Sequence, residues 1–266
     1  MTPRLWLAAA LLSFAGSAAA QSLARRVAAA PDGAVRLTYA SRPGVCGDGR
    51  HSISFDCRDG DCHNHTVSRD DDDDAVTSCA CQPGPVRLVL TVRGGRVDRL
   101  RAYVGGDWKP AATGVTDLGT VGAAEAARFL LDLAAQDDGR VAEEAVFPAT
   151  LADSVTVWPD LFTLARNAQA PARARRSAVF WLGQAAGVAA TKGLDSLASD
   201  DDLNRDVRDA AVFALSQQPN SIGVPALISI ARSNKSPEVR KKAIFWLGQS
   251  NDPRALALFE ELLSKP

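Results

Sequence analysis

The chain has 266 residues, a hydrophobic fraction of 46% and a formal net charge of -1. That length holds one large domain or two modest ones, with ample material for a core. The near-neutral charge gives no support to nucleic acid or an anionic membrane as partner.

At the N-terminus Arg4 precedes the apolar run "LWLAAALLSFAGSAAA", which ends in Ala18-Ala19-Ala20 before Gln21. A charged start, an apolar centre and small residues at a cleavage position predict a removed secretory signal over residues 1–20. The run is short for a membrane anchor, and no Cys follows to carry a lipid. The expected mature protein is therefore periplasmic or secreted, with no stable membrane insertion after cleavage.

Residues 21–30 predict a short helix with Leu23 and Val27 on one side, stopped at the Pro31-Asp32-Gly33 turn. Val35, Leu37 and Tyr39 then alternate with Ala34, Arg36 and Thr38, the period of a half-buried strand. The following stretch to Pro85 is polar and loop-like, and includes Asp70 to Asp74 without a break. The Asp run lacks the Gly and Glu positions of a calcium loop and is expected to be solvated.

All five cysteines (Cys46, Cys57, Cys62, Cys79, Cys81) fall in that polar stretch. In an exported chain this predicts disulfides in a unit too poor in core to stand alone. Cys46–Cys81 is the preferred bond, because it ties the end of the first strand to the start of the next. Cys57, Cys62 and Cys79 compete for a second: Cys57–Cys62 is admissible, and Cys79–Cys81 is too strained to favour. A zinc site from Cys57, Cys62, His65 and Cys79 is the alternative, but the spacing fits no standard ligand pattern. No metal or other cofactor is expected.

Beyond Pro85, Val86, Leu88, Leu90 and Val92 alternate, Gly94-Gly95 supplies a tight turn, and "RVDRLRAYV" follows with Leu100, Ala102 and Val104 on one face. That is a hairpin, with a phase slip between Val97 and Leu100 that predicts a bulge. Residues 21–104 are thus read as a small disulfide-stabilised α+β unit of three strands and a short helix. Residues 105–117 are read as a linker.

From residue 118 to 266 the pattern is helical and it repeats. Phe147, Phe180, Phe213 and Phe245 recur at intervals of 33, 33 and 32 residues (180−147, 213−180, 245−213). A period of this length holding two short helices predicts an α-solenoid, in which each pair buries its face on its neighbours.

The segments "NRDVRDAAVFALSQ" and "SPEVRKKAIFWLGQSNDPRALALFEELL" resemble bacterial HEAT repeats. The likeness is good again at Arg175 through Gly183 and poor in the first unit, where Pro148 interrupts the helix. An export signal, a Cys-bearing β unit and HEAT repeats together look like a group of exported bacterial HEAT-repeat proteins. The resemblance implies a mainly α chain, a HEAT-like solenoid preceded by the α+β unit. It also implies binding rather than chemistry, since such arrays are scaffolds.

Aligned on the HEAT pattern, the four Phe take solvent-facing positions on the helix that lines the concave surface in that family. Val179, Trp181 and Leu182 take buried slots, with Trp181 and Trp246 replacing the usual small Ala. Neighbouring exposed positions hold Glu143-Glu144, Arg176-Ser177, Asp209-Ala210 and Lys241-Lys242. Two readings stay open: the Phe residues line a groove for a protein segment, or each leans on the next repeat and the ladder is core. On the first, Phe147, Phe180, Phe213 and Phe245 are apolar anchors, while Arg176, Lys241 and Lys242 steer acidic groups.

No nucleophile elbow, phosphate loop or dinucleotide fingerprint is present, and His51, His63 and His65 all sit in the Cys-rich stretch. The expectation is a non-enzymatic periplasmic scaffold or adaptor whose partner is an envelope protein or peptide segment. A metal-binding or redox-responsive module, a structural spacer and a lyase-type activity are the alternatives. The N-terminal sheet is expected to cap the solenoid at one end. "ALFEELLSKP" should close the other, with Glu260, Glu261 and Lys265 as its polar face.

Overall fold

The computed structural model describes residues 22–50, 52–58, 61–67, 81–107, 111–137, 139–184 and 188–264. The expected signal segment and the Asp70–Asp74 run lie outside them.

Helix α1 (Leu23–Ala28) buries Leu23 and Val27. A first sheet follows, of strands β1 (Gly33–Tyr39), β6 (Val86–Arg93), β7 (Arg96–Val104) and β8 (Val115–Thr120), in the order β7-β6-β1-β8. Val35, Leu37 and Tyr39 of β1 and Val86, Leu88, Leu90 and Val92 of β6 are all fully buried, as their alternation requires. The expected bulge is there: Thr91 pairs with Arg99 and Val92 with Val97, which leaves Asp98 extra. The predicted hairpin needs left-handed backbone at its tip, and Gly94 and Gly95 provide it.

Two expectations need correction. The linker read over 105–117 contains the start of β8, which pairs in parallel with β1 and makes the sheet four-stranded. This edge strand is joined by backbone hydrogen bonds and the Arg36–Asp117 ion pair (2.7 Å), and none of its residues is fully buried. It therefore carries no hydrophobic alternation to read. The described residues of the Cys-rich stretch, in turn, are largely strand. They form β2 (Cys46–Gly47), β3 (Ser52–Arg58), β4 (Asp61–Val67) and β5 (Gln82–Pro83), paired as β4-β3-β2-β5. Ile53 and Phe55 alternate with Ser52 and Ser54 and are buried, a strand period hidden in polar composition.

Cys46 and Cys81 form a disulfide, their Cα atoms 5.1 Å apart. Cys57 of β3 and Cys62 of β4 stand opposite one another in the backbone register. The two sheets meet where the buried Arg87 guanidinium donates to the Gly49 carbonyl (3.1 Å) and to that of Gly105.

The rest is helical: α2 (Ala123–Gln136), α3 (Val141–Glu144), α4 (Val146–Thr150), α5 (Trp158–Arg166), α6 (Ala172–Gln184), α7 (Val188–Ala198), α8 (Arg205–Ser216), α9 (Asn220–Ser233), α10 (Pro237–Gly248) and α11 (Pro253–Ser264). In the first unit the chain divides at Ala145, which puts Pro148 in the first turn of α4, where its missing N–H is not needed. Asn204 and Ser236 cap α8 and α10 by accepting from the Val207 and Val239 amides.

From α5 onward, helices alternate between two layers: α6, α8 and α10 stand side by side in one, α5, α7, α9 and α11 in the other. Polar clips cross between repeats. The Gln218 amide donates to the Gly183 carbonyl, Asn234 donates to Ser199 Oγ (3.2 Å), and Arg254 reaches the Asn220 carbonyl (2.8 Å).

The sheet unit seals the first helices. Tyr39 Oη donates to the Pro148 carbonyl at 2.6 Å, Arg42 Nε to that of Thr150 at 3.1 Å, and the Leu23 amide to Glu125 at 2.9 Å. Burial alone pushes the Tyr39 phenol well above its ordinary pKa. One hydrophobic cluster runs from Leu23 to Leu258. At the far end the expected polar face of α11 is mixed: Glu261 pairs with Arg232 at 2.6 Å, while Leu256, Leu262 and Leu263 are exposed. Lys265 lies outside the described residues. Among those, no helix is long and apolar enough to cross a membrane.

Candidate functional site

Four consecutive residues of a helix wrap most of the way round its axis, so "VFWL" in α6 cannot all face one core. Val179 and Leu182 are 0% exposed and Trp181 is 9%, while Phe180 is 45% exposed. Phe245 of α10, in the same sequence context, is 56% exposed. Phe147 and Phe213 are half-buried. The ladder is neither wholly groove nor wholly core.

Its division has a simple cause. Phe147 stacks on Trp181 of the next unit, with centroids 4.5 Å apart and planes 22° apart. Phe213 packs on Trp246 of the next unit at 5.1 Å. Phe180 has no such cover, because Ala214 stands where a Trp would serve it. Phe245 has no following unit among the described helices. Each Phe is covered where the next helix brings a Trp and open where it does not.

Phe147 is covered a second time. Phe55 of β3 lies 5.7 Å from the Phe147 ring and 5.4 Å from Trp181, nearly edge-on to the latter. The sheet unit therefore occupies the first part of the ladder, and Phe147 leaves the set of available anchors. Sequence reasoning missed Phe55, although the Ser-Ile-Ser-Phe alternation carried the signal.

The flanking charges are largely matched within the chain. Arg176 faces Asp206 at 3.8 Å, and Lys242 faces Asp209 at 3.4 Å, which Arg205 also approaches. Lys241 is exposed. Burial raises the Glu144 carboxyl pKa in the first unit, with Arg140 opposing. The surface left open is thus apolar and nearly neutral.

Beside α10, a cleft of ≈ 110 Å³ is lined by Ser216, Gln218, Gly223, Trp246 and Gln249, among others. Trp246 Nε1 is buried and finds no hydrogen-bond partner among the described residues. Also among these, no group of three His, Cys, Asp or Glu side chains is placed to hold a metal ion. The side chains of Cys57, Cys62, His65 and Cys79 are not among those described.

The family model for HEAT repeats matches residues 194–266, from within α7 to the C-terminus. Repeats of this kind generally mediate protein–protein contacts. No curated protein matches the chain.

Proposed function

We propose, on the premise that residues 194–266 are HEAT repeats, that this protein is a non-enzymatic interaction module. It holds a segment of another protein on the α6, α8 and α10 face. The observation that carries this is the exposure of Phe180 beside the buried Val179 and Trp181, and of Phe245 beside the half-buried Ile244 and Trp246. Fully burying a Phe side chain is worth about 1.5–3 kcal/mol, and these two half-open rings on one helix layer each offer about half of that to a partner.

The working compartment in this proposal is the bacterial periplasm. The signal-like run with Arg4 and the Cys46–Cys81 bond support it. The partner is then an envelope protein or peptide. Because the flanking charges already have internal partners, Arg176 and Lys242 contribute little steering, and Lys241 is the cation best placed to act on an approaching chain.

Pull-down from an envelope extract tests the proposal, comparing the native chain with a Phe180→Ser/Phe213→Ser/Phe245→Ser variant matched for folding by circular dichroism. The expected result is a specific partner held by the native chain and released by the variant. A variant that folds and keeps every partner would remove the proposal.

A further inference from the structure

Two aromatic clusters stand on the same helix layer, two repeats apart. In the first, Phe147 and Trp181 lie 4.5 Å apart, Phe180 meets Trp181 edge-on at 5.0 Å, and Phe55 closes the group. In the second, Phe213 and Trp246 lie 5.1 Å apart and Phe245 meets Trp246 edge-on at 5.0 Å. The matched members are offset by 66, 65 and 65 residues (213−147, 246−181, 245−180). Among the described residues, nothing in the second cluster corresponds to Phe55.

We propose that the second cluster is a docking site for one aromatic side chain on an extended segment of a partner protein. That ring takes on Phe213 and Trp246 the place that Phe55 holds on Phe147 and Trp181. The inference rests on the interaction reading above and specifies its ligand.

The filled cluster shows the chemistry of the occupant. Phe55 comes from a strand, with Ile53 buried two residues before it, so the covering backbone is extended. It meets Phe147 at 56° and Trp181 at 64°, angles at which ring edges approach ring faces. With Phe55 in place, Phe147 lies nearly parallel to Trp181, at 22°; in the open cluster Phe213 is tilted from Trp246 by 53°. Trp181 is 9% exposed, whereas Trp246 is only half-buried and Phe245 is 56% exposed. Asp209 and Lys242 beside the open cluster already pair with each other, so an aromatic ring rather than a charge is what the site lacks.

The test uses a peptide copy of the internal occupant, acetyl-Ser-Ile-Ser-Phe-Asp-amide, which is the sequence of residues 52–56, and its Phe→Ala counterpart. Each is titrated to millimolar concentration into the full chain, with the indole N–H resonances of Trp181 and Trp246 followed by NMR and assigned through Trp→Phe variants. The expected result is a saturable shift at Trp246 and none at Trp181. Affinity should fall about ten-fold or more for the Ala peptide, and again for the Phe245→Ser chain. Phe213→Leu gives a second reading that keeps the fold's apolar volume.

No shift at Trp246, a shift confined to Trp181, equal binding of the two peptides, or binding undiminished in Phe245→Ser would each overturn the inference. If in addition an envelope partner is still lost on Phe180→Ser/Phe213→Ser/Phe245→Ser, the aromatic site falls alone and the interaction reading stands. If that variant keeps every partner, both fall.

Discussion

Gly183 of α6 faces Ala214 of α8 so closely that a Cβ added at Gly183 would lie 2.8 Å from the Ala214 Cβ. Small against small brings the two helices together, and the Gln218 amide clips the same Gly183 carbonyl. At the equivalent Gly248 of α10, an added Cβ would meet nothing within 4 Å.

Gly183→Ala and Gly248→Ala should therefore act in opposite directions. The first forces α6 and α8 apart, at a cost of about 1–3 kcal/mol. The second gains helix propensity with no clash, and should be neutral or stabilise by up to about 1 kcal/mol. Urea denaturation of both variants measures this; equal losses would mean that the two glycines share some other role.

Trp181 and Phe180 are neighbours in sequence with opposite expectations. Trp181→Ala removes the ring on which Phe147, Phe55 and Phe180 all rest, and should cost about 3–5 kcal/mol. Phe180→Ser, at an exposed position, should cost less than about 1 kcal/mol. Similar midpoint losses for the two would return the whole ladder to the core.

The bond from Tyr39 to the Pro148 carbonyl joins the sheet unit to the first helices in a fully buried setting. Tyr39→Phe keeps the ring and removes one of the carbonyl's two bonds, leaving that from the Leu151 amide (3.1 Å), so a loss of about 0.5–1.5 kcal/mol is expected. The variant should show it as a lower thermal midpoint with unchanged cooperativity.

Asp252 opens α11, accepting from the backbone and side chain of Arg254, which hold its pKa down to about 2. In the unfolded chain the carboxyl titrates near ~3.9. A depressed folded pKa stabilises the fold at pH above ~4, and that contribution is lost as pH falls toward 2. Asp252→Asn should thus lower the melting temperature at pH 7, with the gap to the native protein closing between pH 4 and 2. A gap that does not change with pH would show that charge plays no part.

Removing the Cys46–Cys81 bond, which closes a sequence separation of 35 residues, should cost up to about 4 kcal/mol on the chain-entropy model. Cys46→Ser and Cys81→Ser, compared by hydrogen exchange, should lose protection first in the second sheet and at Phe55.

The repeat was legible because four Phe at one spacing need no tertiary knowledge, and the hairpin because alternation and Gly94-Gly95 agree. The preferred Cys46–Cys81 bond followed from the need to tie two strands. The second sheet was not legible: only Ile53 and Phe55 speak for it, within a stretch whose composition says loop. Nor was β8, whose pairing is carried by backbone and by the Arg36–Asp117 pair. The exposure of Phe180 depended on Ala214, one repeat away, a relation visible only once the helices stand side by side. Phe147 stayed open between groove and core because nothing in its own helix announces Phe55.

The alternation Trp181, Ala214, Trp246 gives the helix face a longer beat than the fold itself. Structure repeats every 32–33 residues, but the aromatic notch recurs only at every second repeat. With neighbouring helices about 10 Å apart, successive notches are about 20 Å apart, a span of about six residues of extended chain. A polypeptide laid along this surface is therefore measured in double steps, and one extra repeat inserted between α6 and α8 would put it out of phase where two would not.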